Sequence, residues 1–271
     1  VIQELVGKKL YNQYEFIQAE EGDHVLCFDG DSLFVKKLED QQYTLPSAAE
    51  FLHEPLQYLF RINEDKYFLR MNIDGLNGYK KVNVRNLRNS SQKDLSFAAM
   101  TGYHLFQWYR DNQFCGRCGG KTDTDERERV LRCNQCGNMI YPKIAPAVIV
   151  AVTDGERILF TTYKGRAYKR YALIAGFTEI GETAEETVKR EVKEEVGLTV
   201  KNVTYYKSQP WGSESNLLLG YFAELDGDDT IALDEEELST AEWFQRDEIP
   251  MTDDGFSLTS EMMEAFKKGE K

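Results

Sequence analysis

From residue 1 to about 93, apolar and polar residues alternate in short runs at 14–17, 25–28, 32–35, 66–73 and 79–84. A period of two is the signature of strands with one buried face, and these runs are read as antiparallel strands. Asp29-Gly30-Asp31 and Asp74-Gly75-Leu76-Asn77-Gly78 separate them as turns. From residue 94 the period lengthens: Leu95, Ala98, Ala99, Tyr103, Phe106 and Tyr109 share one broad face of a helix ending near 110. Beyond 143, strands are expected at 147–152, 157–162, 203–208, 217–224 and 241–246, with a last helix at 259–268. The longest apolar run, 144–152, is interrupted by Pro146 and falls far short of the roughly 20 residues that cross a bilayer. It reads as a buried strand.

A length of 271 residues exceeds the usual single core of roughly 100–200, so more than one domain is expected. Hydrophobic residues at 41% against 29% charged place the chain among globular proteins. Four of the five cysteines, Cys115, Cys118, Cys133 and Cys136, fall in one segment as two Cys-x-x-Cys pairs, with Gly116, Gly119, Gly120 and Gly137 beside them. That spacing suits four thiolates around one zinc ion, whereas a disulfide framework would spread its cysteines through the fold. Four thiolates close the tetrahedron, so this zinc is structural. Cys27 is left as an ordinary reduced core thiol. The expected partition is 1–110, a small metal-folded module at 111–142, and 143–271, an α+β chain in all.

No apolar segment of secretory-signal length follows Lys8 and Lys9, so a cytoplasmic protein without membrane attachment is expected. The formal net charge of −13 disfavours non-specific binding to nucleic-acid backbones. An acidic chain acting on a polyphosphate needs cations between the two. One local exception is the cysteine module, where Arg117, Lys121, Arg127, Arg129 and Arg132 alternate with Asp123, Asp125, Glu126 and Glu128. This patch could meet the 5′ end of an RNA.

The chemistry concentrates at 176–198. Thr183 with Glu186 forms a capping-box signature and Gly197 supplies a left-handed stop, so a helix is expected over 184–196. At 100° per residue, Val188, Val192 and Val196 make a narrow apolar stripe, and Glu195, Glu191 and Glu194 lie progressively further around one side of it. Such neighbouring acids repel one another, a strain that oxygen-liganded cations would remove. Arg190, four residues from both Glu186 and Glu194, could orient a carboxylate. A solvated acidic face is the bland alternative for a Glu-rich helix.

The wider pattern decides between them. Gly176, five residues, Glu182, seven residues, Arg190-Glu191, an apolar residue, Lys193, Glu194-Glu195, Val196, Gly197 and Leu198 together resemble the Nudix box at every defining position. The resemblance implies a Nudix α/β/α sandwich with a mixed sheet, preceded by a zinc ribbon and a strand-rich N-terminal domain. It implies Mg²⁺ or Mn²⁺ held by Glu191 and Glu195, with Glu194 and the Ala175 carbonyl completing the shell and Arg190 beside them. Glu237, in the acidic run 234–237, resembles an additional catalytic glutamate. The ribbon, the Cys136…Tyr141-Pro142…Ile144-Ala145-Pro146 join and Ser208-Gln209-Pro210-Trp211 are similar to the NADH pyrophosphatase branch. That branch implies cleavage of NADH or NAD⁺ to a nicotinamide mononucleotide and AMP, with NAD-capped RNA as a further candidate, by a homodimer. Carried-over substrate contacts are Phe177, Tyr141, Glu128, Arg85, Gln209, Pro210, Trp211 and Ser215. The sequence departs from the branch after Trp211: Gly212-Ser213-Glu214 replaces a Pro-Phe-Pro stretch, removing stiffness and an aromatic surface. That departure keeps open a hydrolase of ADP-ribose or another nucleoside diphosphate derivative. A non-catalytic, nucleotide-sensing regulator that binds nucleic acid is the reading from another class.

Overall fold

The computed structural model describes residues 1–39, 42–51, 53–71, 73, 75–165, 170–250 and 254–271. Asn72, in the strand expected at 66–73, and Asp74, in the following turn, lie outside them. The chain divides into two compact units: Ile2–Ile144 with Trp211–Ser215, and Val1 with Ala145–Pro210 and Asn216–Lys271. No described helix is long and apolar enough to cross a membrane.

The first unit begins with β1 (Leu10–Tyr11), β2 (His24–Asp29), β3 (Ser32–Lys37), β4 (Tyr43–Thr44), β5 (Gln57–Ile62), β6 (Asp65–Arg70) and β7 (Lys80–Asn83). Their order in the sheet is β1-β5-β6-β2-β3-β4, with β7 also on β3. Three readings change here. The 14–17 run forms no strand: the edge position beside β5 is filled by Leu10 and Tyr11, and Phe16 is left exposed. The β5 strand was missed because its buried residues come nearly in succession, Tyr58, Leu59, Phe60 and Ile62, without alternation. Pairing is antiparallel except for β2 with β6, which is parallel. The helix α1 (Lys93–Asp111) packs its apolar face on this sheet, Phe28 meeting Tyr103 and Phe106 at centroid distances of 5.5 and 5.1 Å. Three short antiparallel strands follow, β8 (Thr122–Thr124), β9 (Leu131–Cys133) and β10 (Met139–Ile140), in the order β10-β9-β8.

The second unit contains β11 (Ala145–Asp154), β12 (Arg157–Tyr163), β13 (Ile174–Phe177), α2 (Ala184–Val196), β14 (Val200–Trp211, except for Trp211 itself), β15 (Asn216–Leu225), β16 (Leu238–Gln245) and α3 (Leu258–Lys267). The sheet runs β14-β15-β11-β12-β16, and β13 pairs with the first half of β11. It is mixed: β11 is parallel to β15 and antiparallel to β12 and β13. Because successive residues of a strand face opposite ways, β11 feeds two cores. Val148, Val150 and Val152 meet Val188, Val192 and Val196 of α2. Ile149 and Ala151 meet Leu258, Met262 and Phe266 of α3. The result is an α/β/α sandwich whose apolar α2 stripe is anchored in the centre of the sheet.

Candidate active site

Both ends of α2 are fixed as its sequence demands. Thr183 Oγ1 accepts the Glu186 N–H at 3.2 Å, the Glu186 carboxylate accepts the Thr183 N–H at 2.8 Å, and Gly197 closes the helix at φ 74°. With Val188, Val192 and Val196 buried, Glu195 is carried inward with them and is only 2% exposed. Neither of its carboxylate oxygens has a hydrogen-bond partner among the described residues. Burial, then the charges of Glu191 and Glu237, and more weakly Asp234, push its carboxyl up to about 8. The backbone N–H of Ala175 opposes them.

Glu191 lies across β13. A Cβ at position 176 would overlap its carboxyl group, so only glycine leaves room for it there. Burial raises the Glu191 pKa, with Arg190 acting against it and Glu194 and Glu237 with it. Arg190 is the organiser of the cluster. It reaches Glu182 through two bonds of 2.6 and 2.9 Å, Glu191 at 2.7 Å, Glu194 at 2.9 Å and the Phe177 carbonyl at 2.9 Å. The expected partner Glu186 is absent from this set, since its carboxylate is spent on the helix cap. Glu182 takes that place, and Arg190 holds its carboxyl down to about 2.

An isolated buried carboxylate is unstable as an anion, and adding three more acids around it makes matters worse. Glu195 with two unpartnered oxygens, beside Glu191, offers the oxygen donors that suit a hard divalent cation.

In the first unit the cysteines converge as their spacing predicts, all four Sγ atoms lying within 4.8 Å of one another. Each Cys-x-x-Cys is followed by a left-handed glycine, Gly119 or Gly137, whose N–H returns to the carbonyl of the first cysteine at 2.8 or 3.0 Å. The backbone N–H of Arg117 leads the influences that pull the Cys115 thiol down to about 6, toward the thiolate that binds metal.

The family models match both regions. Residues 143–266 match the NUDIX domain, and 110–141 match the NADH pyrophosphatase zinc ribbon domain. The protein named NAD-capped RNA hydrolase NudC of Haemophilus influenzae (strain PittEE) is 37% identical over 179 residues, 63% of this chain and 67% of that one. The chain belongs to the Nudix hydrolases. Its Erwinia tasmaniensis relative of the same name is 35% identical over 178 residues, 65% of this chain and 68% of that one. A solved Nudix hydrolase from Nitrosomonas europaea aligns at a TM-score of 0.49 and 22% identity over 58% of this chain and 90% of that one.

As a Nudix hydrolase the chain uses a divalent metal, and Glu191, Glu195 and Glu237 are brought together in one electrostatic cluster. Phe177 presents a half-exposed ring beside it on β13. Tyr141 and Glu128 meet in the ribbon, the Tyr141 hydroxyl donating to Glu128 at 3.3 Å. They adjoin a groove of about 440 Å³ lined by Thr124, Asp125, Glu126, Arg127, Glu128 and Arg132. Gln209 is corrected: it is fully buried, donating to the Phe256 carbonyl and accepting the Leu258 N–H, each at 2.7 Å. Its amide pins the start of α3 and has no face left for a substrate. Pro210 is exposed and Trp211 half-buried. Gly212–Glu214 forms a single 3-10 turn in the first unit, where Glu214 pairs with Arg85 and the Ser215 hydroxyl donates to Gln107 at 3.3 Å.

Sequence reasoning passed over Glu182 as a site residue, although it stood in the motif, and passed over Asp234 within its acidic run. Asp234 donates its N–H to the Glu195 carbonyl at 2.9 Å, which ties the acidic turn to the end of α2.

Proposed function

We propose that this chain hydrolyses the diphosphate of NADH or NAD⁺ to a nicotinamide mononucleotide and AMP, and acts on the NAD cap of RNA. The observation that carries hydrolysis is the buried, unpartnered Glu195 carboxylate among Glu191, Glu194 and Glu237. The dinucleotide comes from relatives that are named NAD-capped RNA hydrolases. In this reading Glu191, Glu195, Glu194 and the Ala175 carbonyl would hold Mg²⁺ or Mn²⁺, with Glu237 beside them, and the ion would supply charge to offset the phosphates and to acidify water. Arg190 keeps the carboxylates apart and aimed. The exposed Glu194 stands where solvent enters and accepts a proton from water. The Phe177 ring stacks on a base. The four thiolates hold structural zinc, and reduced thiols suit a cytoplasmic setting. The homodimer implied by resemblance is tested by mass measurement in solution.

A second substrate is favoured by one observation. Glu214, in the turn that replaces the stiff aromatic segment, pairs with one Nη of Arg85 at the surface. With the stiff aromatic segment lost at 212–214, ADP-ribose or another nucleoside diphosphate derivative becomes a competing substrate. Product analysis on NADH, NAD⁺, ADP-ribose and NAD-capped RNA with Mg²⁺ and with Mn²⁺ separates these. AMP plus the nicotinamide mononucleotide supports the proposal, and strong preference for ADP-ribose supports the second substrate. Tight nucleic-acid binding without turnover of any of them would instead indicate a regulator.

A further inference from the structure

The carboxylate of Glu237 has no helix to hold it. It sits in an exposed turn, Asp234-Glu235-Glu236-Glu237, whose own charges drive it apart. Yet the turn is kept close to the end of α2. Three sets of bonds do this. On the helix side, Ala232 and Asp234 donate their N–H groups to the carbonyls of Val196 and Glu195, both at 2.9 Å. Within the turn, Asp234 Oδ1 accepts the Glu236 N–H at 2.8 Å and the Asp234 carbonyl accepts the Leu238 N–H at 3.0 Å.

The third set comes from the sheet. Lys164 follows directly after β12, at a point where the register against β16 slips between Thr162 and Tyr163, so that Tyr163 pairs with Leu238. A slip of this kind re-aims the chain beside it. Lys164 donates its N–H to the Glu237 carbonyl at 2.9 Å and its Nζ to the Glu235 carbonyl at 2.7 Å. One residue thus grips the turn on both sides of Glu236, and places a positive charge in a run of four acids.

We infer that Lys164 is a positioning residue, which fixes the Glu237 carboxylate against Glu191 and Glu195 by clamping the backbone of the turn. This rests on the reading of Glu237 as an acid beside the divalent cation. Lys164 touches neither the other carboxylates' ligand oxygens nor the reacting bond. Its Nζ bond is the part that a substitution removes, since the backbone N–H survives.

The test uses the full chain and Mn²⁺ alone, following free Mn²⁺ by its electron paramagnetic resonance signal, with thermal unfolding of the metal-free protein in parallel. Lys164→Met keeps the aliphatic stem and loses the donor; it is expected to weaken Mn²⁺ binding on the order of ten-fold, the scale of a lost outer-shell contact. Lys164→Arg restores a donor and is expected to bring affinity back to within about two-fold of the parent. Glu237→Gln should weaken binding at least as much as Lys164→Met, and the double variant no more than Glu237→Gln alone. If Glu237→Gln weakens binding while Lys164→Met leaves it unchanged, the Lys164 role is overturned, whatever happens to the melting temperature. Full additivity of the two substitutions overturns it as well. If Glu237→Gln itself leaves Mn²⁺ affinity intact, the reading of Glu237 fails first and takes the clamp with it.

Discussion

Two clusters of like-charged ligands stand in this protein, and they are built on opposite plans. The ribbon takes all four thiolates from two short knuckles of identical design, and their Sγ atoms close within 4.8 Å of one another. The knuckles are joined by the β8-β9-β10 sheet, and N–H groups of Arg117 and Asn138 ease the charge on Cys115 only in part, so a bound metal would do the rest. The acid cluster draws on β13, α2 and the turn before β16, and its scaffold stands on the buried apolar stripe of α2. Arg190 already neutralises part of its charge. On the function proposed above, metal in the first cluster would make structure, and metal in the second would make chemistry.

The sharpest way to break that contrast is Glu195→Gln. It preserves size and removes the central charge, and turnover should fall about 10²–10⁴-fold while the fold persists. Near-parental rates in a steady-state assay would remove Glu195 from the chemistry. The opposite case is zinc withdrawal by chelator or Cys133→Ser. Amide exchange should then accelerate by orders of magnitude over 115–140 while the amides of α2 keep their protection, read by mass spectrometry. Equal loosening of both would mean that the two clusters do not differ in kind.

Gly176→Ala comes next, since the new methyl group displaces the Glu191 carboxyl. A loss of ~10–100-fold in Mn²⁺ affinity is expected, with a small change in melting temperature, by titration and calorimetry on the same sample. The smallest effect is on pH dependence. Glu195 has a folded pKa of about 8 against an ordinary 4.5, so between those values the folded chain holds a proton that the unfolded chain has shed. The metal-free protein should therefore lose stability as pH rises from about 4.5 to about 8, and this slope should flatten in Glu195→Gln. Saturating divalent metal should flatten it too, and urea midpoints across that range would show whether either happens.

Legibility in the sequence followed the range over which each feature is determined. The α2 boundaries, its valine stripe and the four thiolates depend on residues within a few turns of one another, and were readable from caps, period and spacing. The partner of Arg190 was not, because Glu182 comes near only after the chain reverses ahead of the helix, whereas Glu186 has the right spacing but a prior claim on its carboxylate. Glu237 could be placed by likeness, but Asp234 and Lys164 needed the pairing of β12 with β16, separated by some seventy residues. Gln209 shows the reverse failure. A motif residue beside an exposed proline looked like a substrate contact, and tertiary packing gave its amide to the backbone of α3.

The placement of Trp211–Ser215 has a practical consequence. These five residues belong to the unit of α1, where Gly212 comes so near the Met100 carbonyl that a Cβ would overlap it and Ser213 is 7% exposed. The strands on either side of them belong to the other unit. Neither unit is therefore an unbroken stretch of polypeptide, and a cut between 144 and 145 separates neither cleanly. The leading fragment would show a bare patch on α1, the trailing fragment would carry a loop folded for a surface it no longer has, and chimeras spliced at that point between relatives would inherit a mismatched loop and helix.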